Sequence, residues 1–385
     1  MSDARRRRKA KQARRDARRT KSRDHEDSGI PEEVPLADEV REAVTGHPVD
    51  LLGLVSMIIE ATRPDPVAFL RPDSDEKLDL RVLVESFIGV RTSETTALLA
   101  VLAELLVDDD KLRLNCRREL ATRNDDLPQW LADLGRASAY RAVRMSHVLG
   151  DGDEVIIGVR FTDGAELTCA VFIDHNMATE VKDAFLVPDS IDSVLAVGAR
   201  HNTDPDSSFT EMSLADARAW VHDSLAETLV LPADESDTWP ACRALVEWII
   251  SGLPDGGDGY HEPDWDEHTL TGLLDSFFGS LPGMPFDDDE HRNVLVDFCL
   301  ASGSGDPLRW SAGRVEQVLY IPPGEDEDIA AEFLLDTPDL LRAYIPFAHA
   351  QSDIRDGLTA EALAVIDDMQ GHYRDVVKRH AVTEA

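Results

Sequence analysis

The sequence predicts an α+β fold that is predominantly helical, with a small antiparallel β-hairpin or meander near residues 154–187 covered by helices. Three observations carry this. Residues 151–188 are the stretch where β-branched and aromatic residues dominate, with Val155, Ile156, Ile157, Val159 and Phe161 followed by Leu167, Cys169, Val171 and Ile173 in alternation. Thr162-Asp163-Gly164-Ala165 lies between the two runs, and Asp-Gly is a strong hairpin turn because both residues tolerate positive φ. Nearly all the remaining apolar residues recur at helical spacing.

Taken in order, residues 1–28 form a basic arm with almost no apolar content, expected to be disordered by itself. Residues 29–150 read as a helical region. Leu51, Leu52, Leu54, Val55, Ile58 and Ile59 make one stripe; Leu78 to Ile88 make a second; Leu98, Leu99, Leu102, Leu105 and Leu106 make a third. Leu112 to Leu120 continue the pattern, Pro128 opens Gln129-Trp130-Leu131, and Ala137 to Leu149 lead as helix into the hairpin. Residues 151–252 read as the sheet plus helices. A third short strand, Ala184 to Val187, ends at Pro188; Ser190 to Val197 are helical; His201 to Ser208 form a loop; Ser213 starts the helix carrying Ala217, Trp220, Val221, Leu225 and Leu229. Residues 253–267 are acidic, Gly/Pro-rich and read as a linker. Residues 268–385 read as a C-terminal helical domain, with Pro346 as a break or kink and Thr359 capping the last helix. Leu83-Val84-Glu85-Ser86-Phe87-Ile88-Gly89 resembles Leu273-Leu274-Asp275-Ser276-Phe277-Phe278-Gly279, which raises duplication of a helix pair as one reading and chance as another.

Charge divides the chain sharply. Residues 1–23 hold twelve Lys/Arg and two Asp, a net of +10, and the rest carries −46 of the total −36. A body this acidic repels nucleic acid, so RNA, DNA, ribosome or other polyanion contact is expected only through Arg5, Arg6, Arg7, Arg8, Lys9, Lys11, Arg14, Arg15, Arg18 and Arg19. A basic protein is the expected partner for the acidic body. No run of about 18 apolar residues occurs, so no membrane partner is expected. Cys116, Cys169, Cys242 and Cys299 show no ligand-type or paired spacing and read as buried free thiols in a reducing, cytoplasmic setting.

The catalytic candidate is Asp174-His175-Asn176 at the end of the second strand, with Lys182, Asp183 or His201 as helpers. A histidine beyond a strand end serves as a general base when a carboxylate orients it. Adjacent strand residues point to opposite faces, so Asp174 cannot be that carboxylate for His175. No G-x-S-x-G, Walker A or G-x-G-x-x-G motif is present. Asp204, Asp206 and Ser208 imitate a calcium loop, but position six is Phe209 and position twelve is Ala215. His261-Glu262 fails the zincin pattern because Trp265 stands where the second histidine is needed, and Asp108-Asp109-Asp110 reads as a solvated helix end. Neither a metal site nor a cofactor is expected.

The segments VLGDGDEVIIGVRFTDGAELTCAVFIDHNMATEVKDAFLVP (148–188), DPLRWSAGRVEQVL (306–319) and PDLLRAYIPFAHAQ (338–351) resemble segments of uncharacterised proteins from high-GC bacteria, a resemblance that implies no activity, cofactor or site residue. The leading expectation is therefore a non-catalytic binding or adaptor protein with a basic arm. The alternative is a hydrolase or transferase of unrecognised type centred on Asp174, His175 and Asn176.

Overall fold

A computed structural model describes residues 35–64, 78–176, 179–226, 238–320 and 330–383. The basic arm at 1–28 lies outside these residues, as does Leu229. The fold is α+β and mostly helical, and the five strands among the described residues form one antiparallel sheet. The described residues divide into two units, one built from 35–147 and 152–260, the other from 148–151 and 261–383.

The first unit starts with helices α1 (Leu36–Thr45), α2 (Pro48–Thr62), α3 (Leu80–Gly89), α4 (Ser93–Leu105), α5 (Asp110–Leu120) and the short α6 (Gln129–Ala132). Their ends follow from local chemistry. His47 caps α2: Nδ1 accepts from the Val49 N–H at 3.2 Å, and the His47 N–H donates to Asp50 Oδ2 at 2.9 Å. With Nδ1 accepting, Nε2 donates to the Glu166 carbonyl at 3.0 Å, which ties this helix end to the sheet. The aspartate run is a helix end as the sequence suggests, but it starts α5: Asp109 accepts from the Leu112 N–H at 2.9 Å. Helix α4 is buried along nearly its whole length, from Thr96 to Leu105, so its sequence is apolar all round rather than on one stripe.

Strands β1 (Ser138–His147), β2 (Gly152–Arg160), β3 (Glu166–Asp174), β4 (Glu180–Val187) and β5 (Ser207–Met212) pair in the order β4-β3-β2-β1-β5. Two of these strands correct the sequence reading. Residues 138–147 are strand, not helix. Their buried apolar residues, Ala142 and Val143, face opposite sides and pack in two different clusters, so a period of two is masked by the interleaved Arg141 and Arg144. Residues 207–212, the first two of which read as loop, form an edge strand held to β1; their polarity reflects a strand with most residues exposed. β4 also starts earlier than expected, with a bulge opposite Phe172 and Ile173.

One face of the sheet (Val155, Ile157, Leu167, Cys169, Val171, Ile173) joins the large core shared with α2, α4, α8 (Leu214–Ala226) and α9 (Trp239–Ser251). The other face (Val143, Ile156, Ala170) packs on Ile191 of α7 (Ile191–His201). Within the first unit, helices preceding the sheet thus share one core with α8 and α9.

In the second unit, α10 (Glu267–Phe278), α11 (Asp289–Ala301), α12 (Ala312–Tyr320), α13 (Ala331–Gln351) and α14 (Asp356–Thr383) enclose a separate core around Phe277, Phe278, Trp310, Tyr344 and Tyr373. Residues 148–151 belong here: Arg309 donates to the Val148 carbonyl at 2.6 Å, and Leu149 packs with Ile354 and Leu358. Pro346 lies within α13, which runs unbroken to Gln351. Helix α14 begins at Asp356, so Thr359 stands in its first turn, not at its cap, and its hydroxyl meets His349 Nδ1 at 2.8 Å. The two similar segments are both helices, α3 and α10, and bury the same positions, Val84 with Phe87 and Leu274 with Phe277. Their connections to the next helix differ, three residues after α3 and ten after α10.

Candidate functional site

Asp174 ends β3, His175 follows it directly, and the two turn to opposite sides of the sheet. Asp174 accepts from Lys182 Nζ at 2.6 Å and from the Asn176 N–H at 2.9 Å. Of the expected helpers, Lys182 therefore serves Asp174 rather than His175. Asp183 accepts from the Thr238 hydroxyl, and His201 bonds to the Val197 carbonyl of its own helix at 2.9 Å.

His175 turns toward the large core and is only 4% exposed. Its orienting carboxylate comes from the neighbouring strand: Nε2 lies 2.9 Å from Asp153 Oδ2. Strand geometry explains this partner. Asp153 stands opposite Ile173 in the antiparallel ladder, and 173 and 175 share a face because side chains alternate. Since a carboxylate only accepts, Nε2 carries the proton, and in the neutral ring Nδ1 accepts from the Thr179 hydroxyl at 3.2 Å.

Aromatic rings close around the imidazole. Tyr260 stacks on it with centroids 3.9 Å apart and planes at 12°, and Trp220 meets it edge-on at 6.2 Å. Arg144 lies over Trp220 at 4.9 Å, with its Nε 3.8 Å from Asp153 Oδ1. The segment that delivers Tyr260 is the first half of the expected linker. It is pinned to α8: Arg218 donates to the Leu253 carbonyl at 2.8 Å, the Asp258 N–H donates to Asp216 Oδ1 at 2.9 Å, and Arg218 pairs with Asp255 at 2.5 Å. Gly257 makes this approach possible, because a Cβ there would lie 2.1 Å from the Ala215 backbone. The unit boundary falls after Tyr260, inside the 253–267 segment. Sequence reasoning missed Asp153, Thr179 and Tyr260. The signal available was the spacing of the Asp-Gly turn, which fixes the β2–β3 register and so places Asp153 beside residue 175.

The site can carry a hydrogen-bonded chain from carboxylate through imidazole to hydroxyl. Glu154, part-buried on the opposite face of β2 and not part of this site, has its carboxyl raised by burial and then by the charge of Asp183. The four cysteines are free and buried. Burial pushes the Cys116, Cys242 and Cys299 thiols up to about 11, and Cys169 is also raised.

Among the described residues, clefts elsewhere in the first unit include two of note. One of about 230 Å³ is lined by Thr96, Glu104, Arg117, Arg123 and Asp125, with Arg117 paired to Glu104 at 3.0 Å and Arg123 to Glu119 at 3.0 Å. The other, of about 190 Å³, lies between α8 and the pinned segment, beside Arg218, His222 and Asp255. Among the described residues, His147, Asp204 and Asp206 place three metal-type donor atoms within 4.8 Å of one another. The sequence reading set Asp204 and Asp206 aside as a failed calcium loop and did not single out His147. No helix among the described residues is long and apolar enough to cross a membrane.

No family model, curated protein or solved structure matches the chain.

Proposed function

We propose that this protein works by binding: a helical, acidic adaptor whose basic N-terminal arm contacts RNA, DNA or another polyanion in a reducing cytoplasm. The observation that carries the reading is the charge split, +10 on residues 1–23 against −46 on the rest. Arm and body cannot serve the same surface of a polyanion, because phosphates attracted by the arm are repelled by the body. The body is then free to present acidic faces to a basic protein. The burial of His175, only 4% exposed with one ring face under Tyr260, favours binding over catalysis.

The test is to delete residues 1–28 and measure RNA and DNA binding against salt. The full chain should bind with an affinity that falls linearly on a log–log scale, by about 0.9 per phosphate neutralised on duplex DNA. The deleted chain should lose that binding. Equal binding by both chains, or none by the full chain, sinks the reading.

A second reading, a hydrolase or transferase, draws on one observation: the ordered chain Asp153–His175–Thr179. It has the parts of an activated hydroxyl nucleophile with an oriented base. In this reading His175 keeps the role of base, and Asp153 and Thr179 take the places first given to Asp174 and Asn176. Turnover of activated esters that disappears in Thr179→Val, with the fold intact, favours this reading; absence of turnover in the parent chain removes it.

A further inference from the structure

We infer that His147, Asp204 and Asp206 form a binding site for a divalent transition-metal cation. The site is assembled by the sheet. His147 is the last residue of β1 and stands directly opposite Ser207, the first residue of β5. Asp204 and Asp206 immediately precede that strand. The β1–β5 ladder therefore fixes an imidazole beside two carboxylates from a different element, and one donor atom of each lies within 4.8 Å of the others.

The spacing suits a shared ion. His147 Nε2 and Asp204 Oδ2 are 3.6 Å apart, an ion pair when the imidazole is protonated. Two ligands held at about 2.0–2.2 Å from one tetrahedral ion lie close to that distance from each other. The Asp204 carboxylate is already held in place. Its Oδ1 accepts from the Asp206 N–H at 3.2 Å, its Oδ2 from the Ser207 hydroxyl at 3.3 Å, and its own N–H donates to Asn202 Oδ1 at 3.0 Å. Contacts of this kind orient metal ligands and tune their affinity. The His147 and Asp204 side chains are 25% and 13% exposed, and the His147 Nε2 atom itself is buried.

The donor types select the ion. One imidazole nitrogen with two carboxylates suits Zn²⁺, Mn²⁺ or Fe²⁺ better than Ca²⁺ or Mg²⁺, which favour all-oxygen shells. This also explains why the calcium-loop pattern fails at Phe209 and Ala215: the third ligand comes from β1, not from further along the same loop. A chain body of net −46 adds a long-range attraction for any cation. The inference is independent of the arm and of His175.

The test uses the full chain stripped with a chelator, then titrated with Zn²⁺ against a chromophoric chelator and, separately, with Co²⁺ for its visible d–d bands. One high-affinity Zn²⁺ should bind, with Ca²⁺ and Mg²⁺ failing to displace it. Asp204→Asn, Asp206→Asn and His147→Gln should each weaken Zn²⁺ by at least about ten-fold and abolish the Co²⁺ bands. Far-UV circular dichroism keeps the variants comparable, and the two near-isosteric Asn variants carry the test if His147→Gln does not fold. Zn²⁺ affinity unchanged in the Asn variants, no Zn²⁺ bound by the parent chain, or ready displacement by Ca²⁺ would overturn it.

Discussion

Asp153 on β2 and His175 at the end of β3 are joined at 2.9 Å, twenty-two residues apart in sequence and side by side on one face of the sheet. Removing the carboxylate leaves a buried imidazole N–H without an acceptor, which costs about 1–3 kcal/mol. Asp153→Ala should lower stability by that amount, and Asp153→Asn, which keeps an acceptor oxygen, by less. Urea denaturation with hydrogen exchange across β2 and β3 measures both. Equal losses in the two variants would show that the bond is not what holds the pair.

The cover over His175 depends on a glycine. A Cβ at Gly257 would lie 2.1 Å from the Ala215 backbone, so the segment must move off α8. Gly257→Ala should therefore lift Tyr260 and raise the rate at which diethylpyrocarbonate modifies His175 several-fold, read by peptide mass spectrometry. A rate equal to that of the parent chain would show that Tyr260 holds its place without the close approach.

In the second unit, Arg314 is a buried cation serving backbone carbonyls. It donates to Phe298 at 3.0 Å, Cys299 at 2.7 Å, Arg309 at 2.8 Å, the Asp306 carbonyl and the Ser302 hydroxyl, and lies 4.2 Å over Trp310. Arg314→Met strands these acceptors and should cost on the order of 3–5 kcal/mol. Arg314→Lys should recover little, because an ammonium cannot reproduce the planar five-donor fork. Exchange protection of peptides from 289–351 is the readout.

His349 gives the second unit a pH dependence. Its Nε2 accepts from the Trp310 N–H at 3.2 Å, which leaves Nδ1 to donate to Thr359. Burial lowers its pKa from 6.5 to about 4. Between those values the unfolded chain takes up a proton that the folded chain refuses, so stability falls as pH falls. The contribution is complete above pH 6.5 and is lost progressively down to about pH 4, amounting to on the order of 3 kcal/mol. Denaturation of the parent chain and of His349→Gln between pH 4 and 7 checks this; the variant should show a flatter profile.

The buried thiols should resist alkylation. Cys116, Cys242 and Cys299, held at about 11, are almost wholly protonated at pH 8 and shielded from solvent. Iodoacetamide should label none of the four cysteines in the native chain and all of them in urea. Rapid native labelling of any one would mark a segment that opens.

What the sequence determined by itself is what local periodicity and turn chemistry encode. The apolar helices at 51–59, 98–105 and 270–278, the Asp-Gly hairpin and the buried cysteines follow from residues close together in the chain. The charge split of the arm is equally a property of composition. Tertiary structure decided the rest, because those features depend on register between distant segments. β1 hides its period of two behind Arg141 and Arg144, whose partners are Glu211, Asp192, Asp153 and the Trp220 ring. β5 carries too little apolar content to signal a strand until β1 pairs with it. Asp174 stands beside His175 in sequence but on the other side of the sheet, and Asp153 reaches it only because antiparallel pairing aligns 153 with 173. The same logic brings His147 to Asp204 and Asp206: strand alternation fixes where each side chain points, and the ladder fixes its neighbour.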